Sequence, residues 1–341
     1  MGKPKIGVLL LNLGTPDSPK VTDVRKYLRE FLMDRRVIDV PYLQRWPLVN
    51  LIISPFRAFK SAKVYKELWT EKGSPLKLYG LEVAELLQNK LGGDYLVSIG
   101  MRYQEPSTKE ALEKFEHLGL DKLIVLPLYP QYASASTGSS IEETMRILKN
   151  WEVIPNLKII SQFPDNKQMI RLFAKLGKRY MAERAFDHFL FSYHGLPERQ
   201  IVKASCQNYC QLDKCCQTYH SLNKYCYRAQ CYHTSRLLAQ ELGLREDQYT
   251  VSFQSRLGKT PWIKPYTDVV IPDLVKKGKK TILTFSPSFI VDCLETTIEI
   301  GSEYKELFKE CGGDHWQMVE SLNNHPHWIE CLSDLVRSEL N

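Results

Sequence analysis

The sequence contains no uninterrupted apolar run of the ~20 residues that a membrane-spanning helix requires. It also lacks a Lys/Arg block and a basic stripe interleaved with aromatic residues, so the net charge of +7 does not indicate nucleic acid as a partner. The chain enters a predicted strand at residue 6, which leaves no room for the apolar core of a signal peptide, and a cytoplasmic location is expected. A mildly basic surface still suits an anionic lipid or an acidic small molecule.

The 341 residues, 43% of them hydrophobic, are enough for two domains that each have a core. Short apolar runs alternate with segments of helical periodicity, which predicts an α/β fold with parallel strands. The predicted strands are 6–14, 95–99, 123–128, 158–161, 189–192, 250–254 and 281–285. The predicted helices are 21–33, 107–117, 167–183, 233–242 and about 324–339.

This alternation predicts two similar doubly wound, Rossmann-like domains, each with a four-stranded parallel sheet. We expect an N-terminal domain at residues 1–150, a C-terminal domain at 151–320, and a last helix at 321–341 that packs back on the first domain. Right-handed crossovers place the strand ends of each sheet on one side, so the active site is expected in the cleft between the domains.

One predicted strand delivers an ionisable side chain to an open sheet edge. The apolar run from Phe189 leads into Ser192, Tyr193 and His194, and Gly195 ends the strand. Ligands collect beyond the carboxyl ends of parallel strands, so His194 stands where a site is expected. A neutral imidazole there could accept a proton or bind a metal, whereas the alternative is a structural histidine.

Three carboxylates follow the last predicted strand at helical spacing. Asp292, Glu295 and Glu299 are three and four residues apart, which predicts one acidic face on a helix beginning at the sheet edge. Such a face is either a solvated surface or a path for a cation. Carboxylates facing His194 would suit the joint handling of a divalent metal and protons.

Residues 42–59 form an apolar segment that Pro47, Asn50 and Pro55 interrupt. One interpretation is a core helix with a long lead-in. The other is an apolar lip that receives a large hydrophobic ligand or rests on a bilayer surface. The cations that would flank this lip are Arg45, Arg57, Lys60 and Lys63.

Six of the nine cysteines fall between Cys206 and Cys231, whereas Cys293, Cys311 and Cys331 are scattered. Thiols of a cytosolic chain normally stay reduced, so disulfides are not expected. Four thiolates can hold a [2Fe–2S] cluster or a tetrahedral zinc ion, and the remaining alternative is a set of free thiols. Spacing alone does not separate these alternatives.

Several short motifs occur in a characteristic order and spacing: Leu11–Pro16, Phe31–Arg36, Gly100–Tyr103, Leu126–Tyr132, Ser192–Pro197, Phe253–Gly258 with Pro261-Trp262, and Asp292–Thr296. Together they make the chain similar to the ferrochelatases, which insert ferrous iron into a porphyrin. The resemblance runs from about residue 5 to residue 335.

The resemblance implies roles for individual residues. His194 matches the histidine that works on one porphyrin face, and Glu295 matches the glutamate that opposes it. Asp292 and Glu299 match the family's acidic row, which implies a path for the substrate Fe²⁺. The residues that match the walls around the ring and its propionates are Leu13, Arg102, Tyr103, Tyr129, Trp262 and Phe289.

Leu13 bears on the choice of porphyrin. A tyrosine at this position is characteristic of the coproporphyrin-using branch, so leucine favours protoporphyrin IX, with coproporphyrin III as the alternative. A cobalt chelatase and a non-enzymatic porphyrin or haem carrier are further alternatives. The carrier is disfavoured because it has no use for an acidic cation path.

The cysteine-rich stretch, about residues 203–231, is an insertion relative to the shortest family members. Because some ferrochelatases carry [2Fe–2S] clusters, the resemblance favours this cofactor over zinc. The predicted ligands are Cys206, Cys210, one of Cys215 and Cys216, and Cys226, with Cys231 as second choice. The expected partners are therefore protoporphyrin IX, Fe²⁺ and an anionic membrane surface; the oligomeric state is left open.

Overall fold

A computed structural model describes residues 5–212, 214–258 and 260–340. Residues 1–4, with which the predicted first domain begins, and Asp213, inside the predicted insertion, lie outside the described residues.

In the described residues, eight parallel strands form two four-stranded sheets. The first sheet contains β1 (Ile6–Gly14), β2 (Tyr95–Tyr103), β3 (Lys122–Pro127) and β4 (Asn156–Ile159), in the order β2-β1-β3-β4. The second contains β5 (His188–His194), β6 (Tyr249–Gln254), β7 (Thr281–Phe285) and β8 (His315–Met318), in the order β6-β5-β7-β8. The predicted fold class, two α/β halves with four-stranded parallel sheets, is confirmed.

Helices connect the strands of both sheets. The α-helices of the first half are α1 (Val21–Met33), α2 (Tyr42–Pro47), α3 (Ser54–Leu68), α4 (Pro75–Leu91), α5 (Thr108–Glu113) and α6 (Ser139–Leu148). Those of the second half are α7 (Lys167–Glu183), α8 (Glu198–Lys203), α9 (Tyr227–Leu242), α10 (Thr267–Lys276) and α11 (Tyr304–Glu310), and the chain ends with α12 (Pro326–Ser338). Three segments are π-helical: Leu48–Ile53, Ser134–Gly138 and Glu295–Glu303.

The chain divides into two compact units. The first comprises residues 1–129, 134–162 and 323–341, and the second comprises 130–133 and 163–322. The strand predicted at 158–161 as the opening of the second half is β4, which pairs with β3 and closes the first sheet. That assignment was wrong because β4 is short and only partly buried, so its sequence carries no sign of the sheet it joins. In the first unit, α12 packs on α4.

Each unit has its own apolar core, built from inward-facing strand residues and the helices that cover them. In the first unit Leu9 and Leu11 of β1 and Val125 of β3 pack with Phe115 and Trp151. In the second, Leu190 of β5 and Ile282 of β7 pack with Ile271, Phe308 and Trp316. These strands are buried on both faces, which is why the sequence shows continuous apolar runs rather than alternation.

The central strands of the two sheets end in the same way. Residues 13–16 read Leu-Gly-Thr-Pro across the end of β1, which includes Leu13 and Gly14, and residues 194–197 read His-Gly-Leu-Pro from the last residue of β5 onward. Gly14 has a φ of +106°, and a Cβ there would lie 1.9 Å from the Tyr103 carbonyl oxygen at the end of β2. A Cβ on Gly195 would lie 2.8 Å from the Gln254 carbonyl oxygen at the end of β6. In both sheets the neighbouring strand therefore approaches too closely for any larger residue.

Candidate active site

The predicted site residues lie at the carboxyl ends of the strands. In the order β6-β5-β7-β8, the chain leaves β5 toward β6 on one side and leaves β7 toward β8 on the other. The ligand-binding position of this sheet type is therefore the crevice after β5 and β7. His194 is the last residue of β5, and Phe289, Asp292 and Glu295 follow β7. In the first sheet, by the same rule, the position follows β1 and β3, where Leu13 and Tyr129 lie.

The His194 ring is half-buried and held in one orientation. Its Nδ1 lies 2.6 Å from the Gly195 carbonyl oxygen, which can only accept, so Nδ1 carries the proton. This tautomer leaves Nε2 with a lone pair. The ring is tilted against the rings of Trp262 and Phe289, each with its centroid 6.4 Å away, and the Tyr227 hydroxyl donates to the His194 carbonyl oxygen. An imidazole held in this way can accept a proton at Nε2.

The acidic segment differs from the predicted helix. The helix begins only at Leu294 and is π-helical from Glu295 to Glu303, so Asp292 lies in the loop before it. The expectation of three carboxylates on one helical face was therefore wrong: Glu295 and Glu299 share the helix, and Asp292 accepts a hydrogen bond from the Ser321 amide at 3.3 Å. A π-helix is rare and frequently marks a functional site.

Glu295 and Glu299 have different surroundings. The buried Cys293 thiol donates to the Glu295 carboxylate, and burial, followed by the charge of Glu295, raises the pKa of Cys293 well above its ordinary value. Glu299 accepts four hydrogen bonds, from Gln254 Nε2, the Ser255 amide, the Ser255 hydroxyl and the Tyr304 hydroxyl. Glu299 is thus held by four protein donors, whereas the Glu295 carboxylate contacts the Cys293 thiol.

In the first unit, Arg102 belongs to a network around a buried carboxylate that the sequence analysis did not single out. Asp34 accepts hydrogen bonds from Arg102 Nη2 at 2.8 Å, from the Tyr103 hydroxyl at 2.9 Å and from the Ser139 hydroxyl. Burial alone would raise the pKa of Asp34, but the hydrogen bonds from Ser139 and the Arg36 amide and the charge of Arg102 hold it below its ordinary value. Asp34 is therefore ionised at neutral pH.

The predicted wall residues differ in exposure. Leu13, Trp262 and Phe289 are half-buried, whereas Tyr103 is fully buried and its ring packs on Phe31 and Tyr27. The Tyr129 hydroxyl is enclosed beside Ser140, and burial raises the pKa of Tyr129. Arg102 Nε donates to the Ser139 hydroxyl at 2.7 Å, and Nη1 makes no hydrogen bond to the described part of the chain.

The cysteine-rich insertion encloses a cavity of about 110 Å³. Five cysteines line it: Cys206, Cys210, Cys215, Cys216 and Cys226. Cys210 donates to Cys215, and Cys216 donates to Cys226. Cys231, the second choice, lies inside α9, fully buried, and does not line this cavity.

Nitrogen donors surround these thiols. The Gln211 amide donates to Cys215 Sγ at 3.3 Å, and Cys226, at the start of α9, receives the amides of Ala229 and Arg228. The Arg228 guanidinium, buried to 8% exposure, contacts Cys216 and donates to the Lys264 carbonyl oxygen. Within the described ranges, no group of three or more His, Cys, Asp and Glu side chains is arranged to hold a metal ion.

The segment 42–59 is helical but not a core helix. Its side chains with the greatest exposure are Leu43, Phe56, Leu51, Ile52, Tyr42, Phe59 and Trp46. Arg57, Lys60 and Lys63 are exposed beside them, whereas Arg45 is buried and donates to the carbonyl oxygens of Ile38 and Val40. Arg45 is therefore not one of the surface cations. No helix in the described part of the chain is long and apolar enough to cross a membrane.

Comparisons with known proteins identify the family. A model of the Ferrochelatase family matches residues 5–340. Ferrochelatase of Legionella pneumophila (strain Paris) is 48% identical over 334 residues, which cover 98% of this chain and 99% of that protein. Ferrochelatase of Coxiella burnetii (strain Dugway 5J108-111) is 45% identical over 337 residues, covering 98% of this chain and 94% of its own length.

A solved structure shares the fold. The sirohydrochlorin chelatase SirB from Bacillus subtilis subspecies spizizenii, in complex with cobalt, has a TM-score of 0.55 at 11% identity and covers 98% of this chain and 94% of its own. At this identity the likeness concerns the fold alone. The function follows from the family match and the curated relatives. Neither comparison supports a non-enzymatic porphyrin or haem carrier. The chain belongs to the ferrochelatase family and is an enzyme, a porphyrin metal chelatase of the lyase class.

Proposed function

We propose that the porphyrin substrate is protoporphyrin IX and that the site residues act as the resemblance implies. The observation that carries the proposal is the half-buried Leu13 at the end of β1, where a tyrosine characterises the coproporphyrin-using branch. Insertion of Fe²⁺ releases two pyrrole protons, so the site has to accept protons, hold a bent ring and guide a cation. Fe²⁺ is the substrate metal in this reaction.

His194 is the proton acceptor. Its Nδ1–H is committed to the Gly195 carbonyl oxygen, so Nε2 is the nitrogen that takes a pyrrole proton. The rings of Trp262 and Phe289 restrict the imidazole, which keeps the lone pair of Nε2 in one direction. A positioned base of this kind contributes typically 10²–10⁴-fold to a rate.

Glu295 opposes His194 as the second acceptor and as a ligand to the passing Fe²⁺, and Asp292 extends the acidic path. Oxygen ligands of this type do not favour iron strongly over other divalent first-row ions, so the metal specificity is loose. Glu299 completes the acidic row, and the four hydrogen bonds that it accepts make it an anchor of this row.

In the first unit, Leu13 and Tyr129 supply apolar and aromatic surface for a porphyrin, and in the second unit Trp262 and Phe289 supply aromatic surface. Arg102 pairs with a propionate through Nη1, since Nε and Nη2 are held by Ser139 and Asp34. The buried Tyr103 contributes to this site through its hydrogen bond to Asp34.

The roles of His194 and Glu295 are tested by steady-state metallation assays under anaerobic conditions. With Fe²⁺ and protoporphyrin IX, we expect multiple turnovers for the wild type and at least a 100-fold loss of kcat for His194→Ala and for Glu295→Gln. The exposed His327→Ala and Glu306→Gln are matched controls that retain wild-type rates. Wild-type turnover by a folded His194→Ala variant, or a higher kcat/KM with coproporphyrin III than with protoporphyrin IX, contradicts the proposal.

A [2Fe–2S] cluster is proposed for the insertion because the donor set fits it. Five thiols line one cavity, backbone amides point at two of the sulfurs, and a buried guanidinium lies beside a third. A cluster with four thiolate ligands is anionic, and these N–H groups and this cation match its charge. The ligands are four of Cys206, Cys210, Cys215, Cys216 and Cys226. Iron insertion changes no oxidation state, so the reaction has no need of the cluster as an electron carrier. When bound, the cluster supplies folding energy to the insertion.

The exposed apolar side chains of residues 42–59 are proposed to contact an anionic membrane surface. Leu43, Leu51, Ile52 and Phe56 are all more than half exposed, in a segment where burial would be the ordinary state of such residues. The adjacent Arg57, Lys60 and Lys63 complement anionic lipid headgroups. This contact would let a water-insoluble porphyrin reach a cytoplasmic enzyme from the bilayer.

A further inference from the structure

Gln254 ends β6 beside His194 and is buried to 1% exposure. Its main chain is tied to the end of β5, because the Gly195 amide donates to the Gln254 carbonyl oxygen at 2.8 Å. Gly195 is also the residue whose carbonyl oxygen fixes the His194 ring. The position of Gln254 therefore determines the turn that holds the imidazole.

The Gln254 side chain reaches the π-helix that begins at Glu295. Its Nε2 lies 3.3 Å from the Glu295 carbonyl oxygen and 3.0 Å from Glu299 Oε2, so each amide hydrogen has an acceptor. Its Oε1 accepts from the Ser192 hydroxyl at 2.7 Å. The same residue thus contacts the strand that carries His194 and the helical turn that carries Glu295.

Glu299 fixes the end of the Gln254 side chain that contacts the π-helix. The Ser255 amide, 2.8 Å away, and the Tyr304 hydroxyl, 2.9 Å away, donate to Glu299, which fixes the turn after β6 where Ser255 has a φ of +63°. The network continues from Ser192 to Thr267 and from Thr267 to Ser252, all fully buried. A fully satisfied buried network of this kind favours one arrangement of the groups attached to it.

We propose that Gln254 is a positioning residue that fixes the His194 imidazole relative to the Glu295 carboxylate. The inference rests on the roles proposed above for these two residues. No other side chain of equal size supplies two N–H groups and an acceptor at this point: glutamate would place a second carboxylate against Glu299, and methionine would supply neither donor. Small errors in the position of reacting groups cost large factors in rate.

Gln254→Met tests the inference in the full-length enzyme. We expect kcat for Fe²⁺ insertion into protoporphyrin IX to fall ten- to 100-fold, on the order of the losses known for misplaced catalytic groups, with the porphyrin KM within about twofold. The pH profile of kcat should also shift, because the environment of His194 changes. Ser192→Ala removes the donor to Oε1 together with the Ser192–Thr267 hydrogen bond but keeps both Gln254 N–H donors, so it should give a smaller loss of kcat. It provides the test if Gln254→Met does not fold.

Ser252→Ala is the matched control, since it removes a bond from the same buried network without touching Gln254, His194 or Glu295. It should lower the melting temperature and leave kcat and its pH profile unchanged. A wild-type kcat in folded Gln254→Met, or an equal loss in Ser252→Ala and Ser192→Ala, overturns the inference. If His194→Ala and Glu295→Gln themselves retain turnover, the proposed roles fail instead, and the two failures are distinguishable.

Discussion

His188 begins β5, buried at the opposite end of the strand from His194. Its Nε2 lies 2.9 Å from the Thr250 hydroxyl, and burial, reinforced by the charges of Lys279 and Lys277, lowers its pKa from 6.5 to about 4. The folded protein therefore keeps this ring neutral at a pH where the unfolded chain protonates it. The two histidines of one strand thus have different surroundings, since His188 is buried and His194 is half-buried.

The lowered pKa of His188 in the folded protein predicts a pH dependence of stability. Between pH 6.5 and about 4 the unfolded state binds a proton that the folded state does not, so the free energy of unfolding falls as the pH falls, by up to about 3 kcal/mol. His188→Gln removes this titration. The melting temperature of the wild type should fall more steeply from pH 7 to pH 5 than that of His188→Gln, and the exposed His327→Gln should follow the wild type. Parallel curves for all three proteins would contradict the assignment.

Residues that carry charge or a reactive group could be found in the sequence, whereas neutral residues that hold them could not. His194 and Glu295 stand out as titratable side chains at predicted strand and helix ends. Gln254 and Ser139 act through hydrogen bonds to partners 41 and 37 positions away in the chain, which no local pattern reveals. Asp34 lay within a recognised motif, but its burial became visible only when β2 and α6 were assembled around it.

At the scale of elements, the helical segment from Tyr42 to Leu68 continues through Pro47 and Pro55. Proline lacks an N–H and disfavours a helix interior, yet the backbone stays helical from α2, which ends at Pro47, through the π-helical residues Leu48–Ile53 and into α3, where Pro55 is the second residue. The sequence therefore suggested interruption where the chain in fact runs on. The result is a continuous element that presents apolar side chains outward.

Membrane contact by this element predicts a specific loss on substitution. The double variant Leu51→Asp/Ile52→Asp should reduce flotation with anionic phosphatidylserine-containing vesicles at least tenfold, because it places two charges in the apolar surface. Val153→Asp/Ile154→Asp changes another exposed apolar pair of the same unit and should float as the wild type does. Equal flotation of all three proteins would exclude residues 42–59 as the contact.

The cysteine-rich insertion predicts a linked loss of metal and stability. Cys226→Ser removes a cavity thiol at the start of α9 and should abolish the visible iron–sulfur absorption, lower the melting temperature and lower turnover together. Cys311 is a partly buried cysteine outside the cavity, so Cys311→Ser should retain the iron–sulfur absorption, the melting temperature and the turnover of the wild type. Iron and acid-labile sulfide are measured in anaerobically purified wild type. Stoichiometric zinc without sulfide would refute the cluster and favour a structural zinc site.

At the scale of the molecule, both sheets have the same strand order, with the first strand of each half in second place. Alternating strands and helices were enough to predict two α/β halves. β4 and β8 are short and partly buried, so neither carries the continuous apolar run that marks the central strands. The first unit breaks off shortly after β4 and resumes shortly after β8, so its limits in the chain depend on these two strands. The π-helices could not be predicted either, since a π-turn and an α-turn share their residue preferences over so few positions.

The matching strand ends, Leu13-Gly14-Thr15-Pro16 and His194-Gly195-Leu196-Pro197, have a consequence for the origin of the chain. The same strand order and the same glycine–proline spacing at the same place in both sheets are the expected traces of duplication of an ancestral half-length gene. Two identical half-chains would have to carry the same side chain before this glycine. In one polypeptide the two positions are independent, so an aliphatic residue stands before the glycine in the first sheet and an imidazole stands before it in the second.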